Sequence, residues 1–229
     1  MPTHDDIALM AHLMRRAGFG ATRAELEALA EQGYEETVEQ LLHPELRPEV
    51  DEYELYRYHP QTENPFYGRF AQLHAVYHMV NSRRPLQEKM ALLWHQVFAT
   101  AMSKLMGAGA AQMLAQMETF RLHGMGNFKT LVQGLAKNPA MIYWLDNNEN
   151  HKRAPNENWG RELLELFSMG VGNYTEKDVF ECARAFTGWT FKPVAPTQPW
   201  GPNPWKFEYR PEDHDSSEKT FLGETGRFN

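Results

Sequence analysis

PLQEKMALLWHQVFATAMSKLM, residues 85–106, decides the fold class of this chain. Pro85 stands where a first helical turn tolerates a missing N–H. Met90 to Val97 is apolar nearly all round, which marks a central, buried helix rather than a surface one. Gly107 and Gly109 end it, giving a predicted helix over 85–106. Working outward, the same reading repeats on both sides. Phe66, Phe70, Leu73, Tyr77 and Val80 alternate steps of four and three from Pro65, an amphipathic helix. Upstream, Ile7 to Ala17 is a helix opened by Thr3 with Asp6. Thr22 with Glu25 forms a capping box for a second helix that ends near Gln32, and Glu35 to Leu42 forms a third. Downstream, helices are predicted at about 110–123, 128–137, 139–145, 157–170 and 176–187, with Asn127 and Thr175 as caps. The strand signal is nearly absent, so the expected class is all-α, an irregular multi-helix bundle in one domain.

Two stretches stand apart from this pattern. Residues 44–64 are charged and Tyr-rich with several prolines and read as loop. Residues 188–213 hold six prolines and six aromatics without a period, a long irregular arm. Its tryptophans form either a stacking platform for a sugar or peptide or an apolar lid on the core.

Composition bounds the function. The 229 residues, 42% hydrophobic and 23% charged, suit an ordinary globular domain. The net charge of −7, with scattered Lys and Arg, argues against nucleic acid as a partner, because affinity for it requires many neutralised phosphates. No apolar run reaches membrane-spanning length, and residues 1–20, with His4, Asp5 and Asp6, do not resemble a signal peptide. The lone Cys182, in FECARAF, reads as a small core residue.

The densest polar stretch is LDNNENHKRAPNENWGRELLE, residues 145–165. Glu162 and Glu165 are three apart and project from one helix face, where paired carboxylates hold a cation or split their pKa values for acid–base work. The plainer reading is surface ion pairing, since Arg161 lies four residues from both Glu157 and Glu165. His95 sits in the apolar helix centre, as a satisfied core histidine or as a base. Glu88, seven residues earlier, is about 10.5 Å away along the axis, so the two are no metal pair by themselves. His74 and His78 have a metal-compatible spacing of four, but lack the following Glu of the metalloprotease pattern and any third ligand visible in the sequence. His123 ends a helix, where a cation suits the terminal carbonyls. His214 precedes Asp215, which could orient it.

Several segments in order carry a resemblance: HLMRRAGFGAT (12–22), RRPLQEKMALLWHQVFAT (83–100), HGMGNFKTLV (123–132), NPAMIYWLDNNEN (138–150), APNENWGRELLELFSMGVGNYTEKDV (154–179), ARAFTGW (183–189) and HDSSEKTFLGETG (214–226). Together they resemble the bacterial family known as domain of unknown function 1800. The resemblance implies an export or cell-envelope setting and a longer protein of which this chain is the N-terminal portion. It implies no catalytic residues; it places His95, His123, Asp146, Asn150, Asn156, Glu157, Asn158, Arg161, Glu162, Glu165 and His214 in recurring segments. Relatives often read W-H-x-H-F, whereas this chain has Trp94-His95-Gln96-Val97-Phe98, with valine in place of the second imidazole.

The expectation from sequence is a hydrolase-like site lined by His95, Arg161, Glu162, Glu165 and His214, with Asn156, Asn158, Trp189 and His123 contacting substrate. The carboxylates would serve as ligand or base, a histidine as acid–base partner, and Arg161 as an anion clamp. A divalent metal is compatible with these donors, and the sequence assigns it no position. The alternative is a non-enzymatic surface module that holds a glycan, peptide or partner protein through the aromatic arm. The catalytic version requires His95 and the two glutamates to share a cavity.

Overall fold

A computed structural model describes residues 1–58, 68–105, 109–194 and 205–228, with the side chains of 68–70 excepted. The molecule is mainly helical, as its periodicity predicts. Helices α1 (His4–Ala17), α2 (Arg23–Gln32) and α3 (Tyr34–Leu42) form the N-terminal part. The capping boxes of α1 and α2 are present, Thr3 with Asp6 and Thr22 with Glu25. The segment read as loop contains a further helix, α4 (Glu52–Tyr58). Pro44, Pro48 and Pro60 bracket it and dominate the reading of that stretch. Inside the brackets, Asp51 accepts from the Tyr53 amide and Leu55 is buried, which suffices for two turns.

Helix α5 spans Gly68–Asn81 and α6 spans Pro85–Val97. Two expectations change here. Helix α6 stops at Val97 rather than at 106, and Leu92, Leu93 and Val97 are exposed, so it is central on one side only. On α5 the described part of the apolar stripe is not the inward face. Leu73 and Val80 point outward, while Ala71, His74 and His78, at i, i+3 and i+7, are buried. Phe66 lies outside the described residues. Burying imidazoles while exposing leucine and valine runs against the hydrophobic preference, so specific polar partners must hold that face.

Helices α7 (Gly109–His123), α8 (Phe128–Ala136), α9 (Pro139–Trp144), α10 (Asn158–Glu165) and α11 (Glu176–Ala185) follow. Asn127 caps α8, and Thr175 caps α11 in a box with Asp178. Helix α7 is the hub, packing against α5, α6, α8 and α9. Phe98, just past α6, anchors the core: its ring meets Phe167 edge-on at 4.8 Å and stacks with Trp94 and Phe120. Leu131, Leu135, Met141 and Trp159 complete that cluster. Phe167, in the turn after α10, links Phe98 to Trp159 of that helix.

Gly160 lets α10 lie directly on α11. A Cβ there would stand 3.0 Å from the Val179 carbonyl oxygen and 3.1 Å from the Ala183 nitrogen, both backbone atoms that cannot rotate away. Gly160→Ala is expected to cost about 1–3 kcal/mol by forcing these helices apart. A urea titration that finds no loss would mean that the crossing is looser than this.

The arm expected to be irregular carries a β-hairpin. Strand β1 (Trp189–Pro193) pairs antiparallel with β2 (Trp205–Tyr209), in register Phe191↔Phe207. Trp189, Phe191, Pro193, Trp205, Phe207 and Tyr209 all occupy one face, a period of two hidden by the prolines around it. Trp200 lies outside the described residues. A second hairpin joins β3 (Lys219–Phe221) to β4 (Glu224–Gly226) across Leu222 and Gly223, both at positive φ, as a two-residue hairpin turn requires. Among the described residues, no helix is long and apolar enough to cross a membrane.

Candidate metal centre

Among the described residues, the histidines and carboxylates expected to form one site do not make a group of three ligand atoms close enough to share a metal ion. His95 lies beside the Phe120 ring at 6.3 Å; its Nδ1 is buried without a protein partner, and burial lowers its pKa. No hydrogen bond or ion pair joins it to Glu162, Glu165 or Arg161. Arg161 instead spans Glu157 at 3.0 Å and Glu176 at 2.7 Å. Glu165 accepts from the Tyr174 hydroxyl at 2.8 Å, and the Glu162 carboxyl is raised by burial and then by Glu165.

His214 is buried, with Nδ1 donating to the Thr187 carbonyl at 2.8 Å, which pins the C-terminal segment to the end of α11. The side chains of Asn147, Asn150 and Asn156 are engaged with backbone. Asn150 Nδ2 donates to Ala183 O while its Oδ1 accepts from the Asn156 amide; Asn147 Nδ2 donates to Trp189 O; the Asn156 side chain accepts from the Asn158 amide. His123 packs its ring over Gly134 of α8. Trp189 meets Phe186 and Phe207 edge-on, and Trp205 stacks on Phe191 and leans on Tyr143, so these rings pack against α9 and the core.

The donor set that does converge lies elsewhere, on α4 and α5. Glu52 Oε1 is 3.1 Å from His74 Nε2 and 3.1 Å from His78 Nε2. The three ligand atoms all lie within 4.8 Å of one another. Ligand atoms around a tetrahedral ion with bonds of ~2.1 Å stand about 3.4 Å apart, so this set needs only a slight adjustment to receive one. The two imidazoles stack at 4.5 Å with 28° between their planes, so both rings present an edge to the same point. Their spacing of four on one helix turns both inward, and Glu52 meets them from the first turn of the neighbouring helix.

The surroundings favour ligation. Burial, then the neighbouring His78, lowers the His74 pKa, so its imidazole is neutral near pH 7, the form that binds metals. Burial works against ionisation of Glu52, but the Tyr56 hydroxyl and the two histidines outweigh it and hold the carboxyl below its ordinary range. Behind His78, its Nδ1 lies 3.3 Å from Glu88 Oε1, and Arg121 Nε bonds both Glu88 oxygens at 2.9 and 3.1 Å. A cavity of about 340 Å³ opens beside this cluster, lined by Glu52, His78, Arg84, Glu88, Glu118 and Arg121 among others.

Sequence reasoning had the His74–His78 spacing and missed the third donor, because Glu52 sits 22 residues before His74 in a stretch read as loop. Glu88 was weighed against His95 along its own helix, not against His78 across to α5. The signal available was the pair of histidines itself, on a helix whose other face is apolar.

Fold and site together define a mainly helical protein in which two buried histidines and a half-exposed carboxylate meet at the wall of a cavity. Residues 12–229 match the family described as "Protein of unknown function (DUF1800)", and the chain belongs to that family. Neither curated proteins nor solved structures gave a match.

Proposed function

We propose that this protein is a metal-assisted hydrolase whose centre is Glu52, His74 and His78. The observation that carries this reading is the convergence of three ligand atoms, within 4.8 Å of one another, at the edge of a cavity of about 340 Å³. Structural zinc sites close all four positions with protein; three protein ligands leave room for water and substrate. A divalent ion held this way lowers the pKa of bound water towards ~7 and polarises a carbonyl or phosphoryl oxygen. The chain's own groups supply the rest. Glu52 and the two histidines hold the ion, Arg121 and Arg84 set positive charge on the cavity wall, and Glu118 and Glu49 stand at its more exposed part.

The test is metal analysis of the purified protein together with hydrolysis of a panel of aryl carboxylic and phosphoric esters. Stoichiometric Zn²⁺, Mn²⁺ or Co²⁺ uptake is expected, with hydrolysis abolished by chelator, restored by the ion, and lost in His78→Ala. A protein that takes up no divalent ion, or a His78→Ala variant as active as the parent, overturns the proposal.

A second reading keeps the chemistry on α10, because burial and a neighbouring carboxylate push Glu162 up while Tyr174 holds Glu165. It is favoured instead if hydrolysis survives chelation and falls in Glu162→Gln.

A further inference from the structure

The buried pair Glu88 and Arg121 is not explained by stability. Glu88 is 3% and Arg121 7% exposed, and removing two charges from water to that depth often costs more than their attraction returns. The pair also sits in one place only, directly behind His78. One Glu88 oxygen, Oε1, faces both Arg121 Nε at 2.9 Å and His78 Nδ1 at 3.3 Å. Gln87 Nε2 donates to the Arg121 carbonyl at 3.1 Å and ties the same turn of α6 to α7.

We infer that Glu88 is the positioning residue of the metal centre: as acceptor for the His78 Nδ1–H, it fixes the tautomer and ring plane that aim Nε2 at the ion, with Arg121 holding Glu88 in place. This rests on the metal centre proposed above. An imidazole has two nitrogens, and which one keeps its hydrogen is set by the partner of the other. With a carboxylate on Nδ1, the hydrogen stays there and the Nε2 lone pair is free to bind. The carboxylate also makes the imidazole a stronger donor.

His74 has no such partner. Its Nδ1 is buried without a hydrogen bond among the described residues. The two histidines are therefore unequal: His78 is oriented from behind, and His74 is held by its stacking on His78 and by Glu52. The Arg121 guanidinium, bonded to both Glu88 oxygens, keeps that carboxylate an acceptor.

Two double variants separate this role from simple packing. Glu88→Gln with Arg121→Met removes the ion pair but leaves an acceptor oxygen for His78 Nδ1. Glu88→Leu with Arg121→Met removes the acceptor as well. Both avoid leaving an uncompensated charge in the interior, and the fold of each is checked by circular dichroism. Zn²⁺ affinity, measured by competition with a chromophoric chelator, is expected to fall roughly 10–100-fold in the Leu variant and only a few-fold in the Gln variant. Equal affinities in the two folded variants overturn the positioning role while leaving the metal centre standing. Absence of Zn²⁺ binding in the parent protein, by contrast, removes the centre itself. If either double variant fails to fold, the single substitution Glu88→Gln takes its place. It keeps the acceptor beside an intact Arg121, and a loss of ten-fold or more there counts against the inference.

Discussion

Replacing His74 and His78 together by alanine is expected to abolish the thermal stabilisation that a divalent ion at the proposed centre would give this protein. A ligand that binds only the folded state, supplied at a hundred times its Kd, adds about 2.7 kcal/mol to the free energy of unfolding. For a chain of this size each kcal/mol moves Tm by roughly 2–4 °C. Zn²⁺ at that excess should therefore raise the Tm of the parent by about 5–11 °C, and that of the double variant by about one degree or less. The comparison is made as a shift within each protein, because losing two buried rings lowers the metal-free Tm of the variant in any case. Glu52→Gln should fall between, since its amide oxygen is a weaker ligand and the histidines remain. An equal shift in parent and double variant would place the ion somewhere other than α4 and α5.

Phe98→Ala carries the largest stability loss expected of any single change. The ring is fully buried and touches the rings of Trp94, Phe120, Phe128 and Phe167, which come from α6, α7, α8 and the turn after α10. Truncating such a phenylalanine removes its transfer free energy and leaves a cavity that rigid aromatic neighbours cannot collapse into, about 3–5 kcal/mol together. Set against a total stability of about 5–15 kcal/mol, that is a large share. Chemical denaturation should show the midpoint falling while the slope stays constant, since the surface exposed on unfolding hardly changes. A loss below about 1 kcal/mol would mean that Phe98 is not the joint between these helices. Phe98→Leu, which refills most of the space, should recover much of the difference.

Most helices were legible in the sequence because local signals coincide with packing. Thr3 with Asp6, Thr22 with Glu25, and Thr175 with Asp178 mark true starts, since a side chain three residues away satisfies amides that nothing else reaches. What misled the reading was polarity that serves a site or a backbone. On α5 the inward face is chosen by Glu52 and Glu88, not by the leucine and valine stripe, so the periodic signal pointed the wrong way. In residues 147–158 the asparagines invited a catalytic interpretation, and two of them, Asn147 and Asn150, satisfy carbonyls and an amide of a buried connection to α11 and β1. The hairpin of Trp189 and Trp205 was hidden because prolines break a strand signal even where alternate residues share one face. Glu52 illustrates the remaining gap. A ligand from a distant, short helix has no spacing rule, and only the folded chain brings it to its partners.

The inward-turned histidines of α5 also set how this part of the protein is fastened to the rest. Apolar surface such as the Phe98 cluster adheres regardless of which small ions surround the molecule. The wall made by α4 and α5 is seated through directional contacts, which an ion at the proposed centre would tighten and a chelator would loosen. Supply of a trace element would then govern the firmness of one wall of the cavity while leaving the aromatic centre untouched, so that a single chain would contain one region indifferent to its medium and one that registers it.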